Sequence, residues 1–97
     1  MLSEDVKIRF AGFEPTAEVK RALYFVVNQL HLKSPSTSFL DATFTLTNGI
    51  FEGVIQVTST AGDFVAKASD VHLSDVGHKL LEKLGSKLEA WKSLRVF

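Results

Sequence analysis

Apolar positions along this chain switch between two spacings, and each switch marks an element. Val6, Ile8 and Phe10 alternate with Lys7 and Arg9, which predicts a half-buried strand over roughly residues 5–11. Gly12 and Pro15 break that alternation, and Thr16 is placed to cap a helix, with Glu18 in its first turn. Val19, Leu23, Val26, Val27 and Leu30 then recur at helical spacing as far as about Leu32, with Tyr24 and Phe25 broadening the apolar face. KSPSTS, residues 33–38, reads as a loop. Leu40, Ala42, Phe44 and Leu46 alternate with Asp41, Thr43, Thr45 and Thr47, so a second strand follows with one buried face. Asn48-Gly49 is a hairpin signal, because both residues tolerate positive φ. Phe51, Gly53, Ile55 and Val57 continue as the partner strand. Ala61-Gly62-Asp63 is expected to turn the chain again. Phe64, Ala66 and Ala68 form a last strand, with Val65 and Lys67 on its other face. Ser69 or Asp70 is expected to cap a final helix over about 71–93, along which Leu80, Leu84 and Leu88 make a stripe.

The order is β-α-β-β-β-α, an α+β domain. Three consecutive antiparallel strands form a meander, and the first strand joins its edge after the first helix. Two amphipathic helices cover one face of the four-stranded sheet. The other face is solvated and carries Lys7, Arg9, Asp41, Thr43, Thr45, Glu52, Gln56, Asp63 and Lys67. No repeat, linker or low-complexity stretch divides the chain, so residues 1–97 are read as one domain.

Composition narrows the class. The chain is 45% apolar with eight phenylalanines, enough for a real core. It has no cysteine, which excludes disulfides and cysteine-ligated metal. MLSEDVKIRF carries acids where a secretory leader needs lysines, and no run of about 18 apolar residues exists to span a bilayer. A cytoplasmic protein without membrane contact is expected. Eleven basic residues balance eleven acidic ones. The balance hides an asymmetry: residues 79–97 hold Lys79, Lys83, Lys87, Lys92 and Arg95 against Glu82 and Glu89, a surplus of three. The total is zero, so residues 1–78 carry the matching deficit of three.

No catalytic constellation is present. His31, His72 and His78 lack metal-ligand spacing, and His72 and His78, six apart, fall on different faces of a helix. No serine sits in a nucleophile elbow, and the glycines of NGIFEG and AGDF belong to hairpin turns, not phosphate-binding loops. Acid pairs such as Glu14/Glu18 and Asp70/Asp75 lie near helix starts, where they suit the dipole. Trp91 continues the leucine stripe and reads as core or core edge. No enzyme, cofactor or metal is expected.

Lys79, Lys83 and Lys87 remain, at i, i+4 and i+8 on one helix flank. Spacing alone leaves two readings open: a solvated flank, or a ridge for phosphates to which Lys20 and Arg21 add from the first helix.

The stretch AGDFVAKASDVHLSDVGHKLLEKLGSKLEAWK resembles the C-terminal half of the ribosome hibernation-promoting factors, also called the ribosome-associated inhibitor or sigma-54 modulation family. In that family a glycine turn leads into a strand. An acidic-Leu/Met-Tyr-x-Ala-Ile-Asp segment then opens a helix, and Lys-Leu-x-x-Gln-Leu continues it. Gly62 fits the turn, Leu73 the Leu/Met and Val76 the alanine; Lys83-Leu84 and Leu88 fit the helix motif without a gap. PTAEVKRALYFVVNQL resembles the family's opening and first helix through Thr16, Val19, Leu23, Val27 and Leu30. The likeness covers about residues 6–93 and matches the short form. The chain departs from it at Ser74 for the tyrosine, Gly77 for the isoleucine, His78 for the aspartate and Lys87 for the glutamine. The resemblance implies a double-stranded-RNA-binding-like fold and a non-enzymatic, cofactor-free factor of stationary-phase stress. Such a factor contacts small-subunit ribosomal RNA and blocks translation by occlusion. The RNA-binding residues would then be Lys79, Lys83, Lys87 and Lys92, helped by Lys20, Arg21, Lys7, Arg9 and Lys67. The neutral net charge and the apolar tail, Leu94, Val96 and Phe97, support an alternative: a diverged, non-ribosomal interaction module, or a homodimer through the sheet edge or that tail.

Overall fold

The computed structural model describes residues 5–94. The elements are β1 (Val6–Ala11), α1 (Ala17–Lys33), β2 (Phe39–Thr47), β3 (Ile50–Ser59), β4 (Gly62–Asp70) and α2 (Leu73–Leu94). The sheet order is β1-β2-β3-β4. β1 runs parallel to β2, with Val6 opposite Leu40 and Ala11 opposite Thr45; the other pairs are antiparallel. A parallel neighbour demands a crossover, and α1 supplies it. Thr16 caps α1 as its sequence position suggests: its Oγ accepts from the Val19 amide at 3.2 Å. Asn48 and Gly49 take φ of 52° and 79°, the two positive values of a type I′ hairpin turn.

Both helices lie on one face of the sheet. α2 packs on β3 and β4, and α1 packs on β1, β2 and α2. Leu23, Val27 and Leu30 of α1 meet Leu80, Leu84 and Leu88 of α2 above Leu40, Phe44, Ile55 and Val57, all essentially without solvent contact. Gly53 sets how closely α2 approaches. A Cβ there would lie 2.7 Å from the Leu80 side chain, 2.8 Å from that of Val76 and 3.0 Å from that of Phe44, so any side chain beneath the helix would have to displace them. Gly12 closes the other end of the sheet. It takes φ of +84°, and a Cβ on it would meet the Leu46 carbonyl oxygen. This sharp exit folds Phe13 back edge-on against Phe10 and Phe51.

Three local expectations are corrected. The second turn is tighter than AGD suggested, because the β3–β4 pairing runs on to Ser59 opposite Gly62; Gly62 and Asp63 already belong to β4. Ser69 and Asp70 do not cap α2. Their pairing with Glu52 and Phe51 holds them in β4, and α2 starts after His72, whose carbonyl accepts from Asp75 and Val76. Phe25 does not extend the buried face of α1; it is 64% exposed, on the wall of an open groove between α1 and α2. The solvated sheet face carries the residues expected of it, with Val54 and Val65 among them. The apolar tail at Val96 and Phe97 lies outside the described residues.

Candidate nucleic-acid interface

The lysine row of α2 lies along the free edge of β4. Antiparallel pairing turns the backbone groups of alternate residues toward the neighbour and the rest away from it. The carbonyls of Val65, Lys67 and Ser69 point out of the sheet, where α2's lysines find them. Lys79 donates to Ser69 O at 3.1 Å, Lys83 to Lys67 O at 2.8 Å and Lys87 to Val65 O. The match is geometric. Four helical residues rise about 6.0 Å, and two strand residues rise about 6.6 Å. Lysines four apart on a helix running antiparallel to the strand therefore meet every second carbonyl. Trp91 takes the next position of the same spacing and closes the row edge-on against Phe64, 6.2 Å between ring centres.

The three ammoniums differ in electrostatics. Lys79 also donates to Asp70 Oδ2 at 2.9 Å, an ion pair that cancels its charge at a distance. That hydrogen bond, with a second from the His72 amide at 3.1 Å, holds the Asp70 carboxyl below its ordinary pKa of 3.8. Lys83 and Lys87 are hydrogen-bonded to carbonyl oxygens instead, which orient an ammonium and leave its charge intact. Lys67 stands beside them on the outer sheet face. Lys67, Lys83, Lys87 and Ser86 line one shallow open depression with Val65 and Ala66.

The other sequence-derived residues are placed elsewhere. Lys92 is exposed but five residues past Lys87, so it falls off the row, whose i+4 position Trp91 fills. Arg21 lines a groove between α1 and α2 with Phe25, Val26, Gly77, His78 and Leu81, on the flank of α2 turned away from β4. Lys20 projects from the far flank of α1, by the helical turn of about 100° per residue. Neither adds to the lysine row, because the width of α2 lies between. Lys7 and Arg9 sit on β1, three strands or about 14 Å from β4. Arg9 is paired with Asp41 on β2. Ser86 and the strand carbonyls are the contributors that sequence reasoning missed. Ser86 sits one residue before Lys87 on the same flank, a signal that could have been read. His31 is tied to the loop before β2, its Nε2 3.3 Å from Ser38 O, and His72 and His78 are exposed. Among the described residues no group of three or more His, Cys, Asp or Glu could hold a metal ion, and no helix is long and apolar enough to cross a membrane.

No family model and no curated protein matches the chain by sequence. Solved structures do match it by shape. The Protein Y N-terminal domain of Thermus thermophilus superposes with a TM-score of 0.75 at 14% identity, covering 88% of this chain and 94% of its own. A ribosomal subunit interface protein from Coxiella burnetii gives 0.70 at 16% identity, covering 90% and 98%. The chain has the fold of these two proteins over nearly their full lengths, the fold that the sequence resemblance implies.

Proposed function

We propose that this chain is a diverged member of the ribosome hibernation-promoting factor family. It binds small-subunit ribosomal RNA through the β4–α2 margin and blocks translation in dormancy by occlusion. The observation that carries the reading is the pair Lys83 and Lys87, held in a fixed row by carbonyl oxygens and flanked by Lys67, with their charge uncancelled. A row of oriented cations engages phosphates without paying much side-chain entropy, since the stems are already ordered. The likeness to a ribosomal subunit interface protein supports the ribosome as the source of those phosphates. The mechanism needs no bond made or broken: a rigid domain of 46 × 25 × 18 Å occupies space that a translating ribosome needs. Lys79 borders the contact, and the bulk of affinity is electrostatic.

Co-sedimentation of the purified protein with ribosomes from its own source, across salt concentrations, tests this. Three phosphate contacts weaken binding about 20- to 40-fold between 50 and 200 mM salt. Pelleting that fades on this scale agrees with the proposal. A protein that stays in the supernatant at 50 mM salt overturns it.

A further inference from the structure

We infer that Lys83 and Lys87 close the β4 edge against a second copy of this chain, and that without them two copies join through antiparallel β4 strands. β4 is an exposed edge of nine residues. Edge strands are ordinarily protected by proline, by a bulge, by being short, by charged side chains or by a covering helix or loop. β4 contains no proline, and its register with β3 runs unbroken from Asp70 opposite Phe51 to Gly62 opposite Ser59, so no bulge interrupts it. What occupies the edge is the lysine row. Each ammonium takes a carbonyl that the amide of an added strand would need.

The edge is also self-complementary. A two-fold axis through Val65 sets Val65 against Val65 and Asp63 of each copy opposite Lys67 of the other. All three residues are exposed on the outer sheet face. Opposite charges flanking an apolar β-branched pair are a favourable cross-strand set, and a two-fold contact of this kind closes on itself as a dimer. The overlap spans residues 62–68, with outward carbonyls at Asp63, Val65 and Lys67; Lys87 and Lys83 hold those of Val65 and Lys67. Ser69, the acceptor of Lys79, lies outside it. Lys79 is therefore dispensable for closure, although it belongs to the same row. This closure does not depend on RNA binding.

The test is the solution mass of Lys83→Ala/Lys87→Ala against the native chain, by light scattering over a concentration series. Alanine keeps the helix and adds no apolar bulk. The mass is expected to double relative to the native chain, while Lys79→Ala leaves it unchanged. Adding Val65→Pro to the double variant removes the one amide at the centre of the new pairing and none used by β3, and the mass is expected to return to the native value. A double variant with a native circular dichroism spectrum and native mass at every concentration overturns the inference. So does a doubled mass that survives Val65→Pro.

Discussion

The two free margins of the sheet are both basic, and they handle charge in opposite ways. On the β1 margin, Arg9 meets the Asp41 carboxylate across the parallel pair. On the β4 margin, Lys83 and Lys87 meet carbonyl oxygens. At distances longer than its own separation an ion pair presents no net charge, whereas a lysine on a neutral carbonyl still carries its full charge. The number of basic residues therefore says little about which margin attracts an anion; the charge of each acceptor decides it. The β4 arrangement needs a helix laid along the strand in register, and Gly53 provides it by letting α2 sit close. The β1 margin depends on Gly12, which turns the chain at the end of the parallel pair.

The strongest test of the two margins removes those glycines. Gly12→Ala forces a left-handed backbone and a Cβ into the Leu46 carbonyl, and is expected to destabilise the fold by roughly 3 kcal/mol. Gly53→Ala pushes against movable side chains of Leu80 and Val76, and roughly 2 kcal/mol is expected. Thermal melts read both, at about 4–8 °C per kcal/mol for a domain of this size. Gly53→Ala further lifts α2 off the strand and is expected to weaken ribosome binding as well. A Gly53 variant as stable as the native chain would mean that the close approach of α2 is not what seats the lysines.

Charge reversal separates the margins directly. Lys83→Glu/Lys87→Glu removes two of the proposed phosphate contacts, and ribosome affinity is expected to fall about 15- to 30-fold at 0.15 M salt, with a shallower salt dependence. Lys7→Glu/Arg9→Glu on the opposite margin is expected to change affinity by no more than about twofold, because the roughly 14 Å between the margins exceeds a Debye length of about 8–10 Å. Equal losses from both pairs would show that the whole outer face, not the β4–α2 row, meets the ribosome.

Smaller in size is the effect of Gly85→Ala. Gly85 is buried in the middle of α2, yet a Cβ there meets nothing within 4 Å. Alanine is expected to raise stability by about 0.5–1 kcal/mol through helix propensity alone, and to leave ribosome binding unchanged. A loss of binding with a gain in stability would mean that the lysine row needs a helix soft at its centre.

These residues also mark where sequence reading succeeds and where it stops. Period-two and helical spacing were enough to place every element, because a half-buried sheet and two amphipathic helices write their faces into the chain. Element ends were less legible. Ser69 and Asp70 look like helix caps, and only their pairing with Glu52 and Phe51 keeps them in the sheet. The lysine row could be seen as a row, but not as an edge cover, since a carbonyl acceptor has no sequence signature. Lys20, Arg21, Lys7 and Arg9 share its charge but not its place in the fold. Strand order and the thickness of α2 separate them from it.

Lys79 is the exception that sharpens the comparison, because it shares the row yet keeps an ion pair of the β1 kind. Its partner gives the smallest effect and a definite sign. The Lys79 ammonium, and then the His72 amide, hold the Asp70 carboxyl below its ordinary value of 3.8 in the folded chain. Unfolding restores that ordinary value, so near and below pH 3.8 the unfolded chain binds more protons than the folded one. The stabilisation from Asp70 is present above that pH and is lost as pH falls through the lower, folded value. Asp70→Asn keeps an acceptor for His72 but cannot titrate. Its stability is expected to vary less with pH in the acid limb than that of the native chain, with the two curves converging toward the lowest pH. Denaturant melts from pH 2 to 6 read the difference. Parallel curves would mean that the Lys79–Asp70 contact contributes nothing in solution, and that Lys79, like Lys83 and Lys87, presents an uncancelled charge.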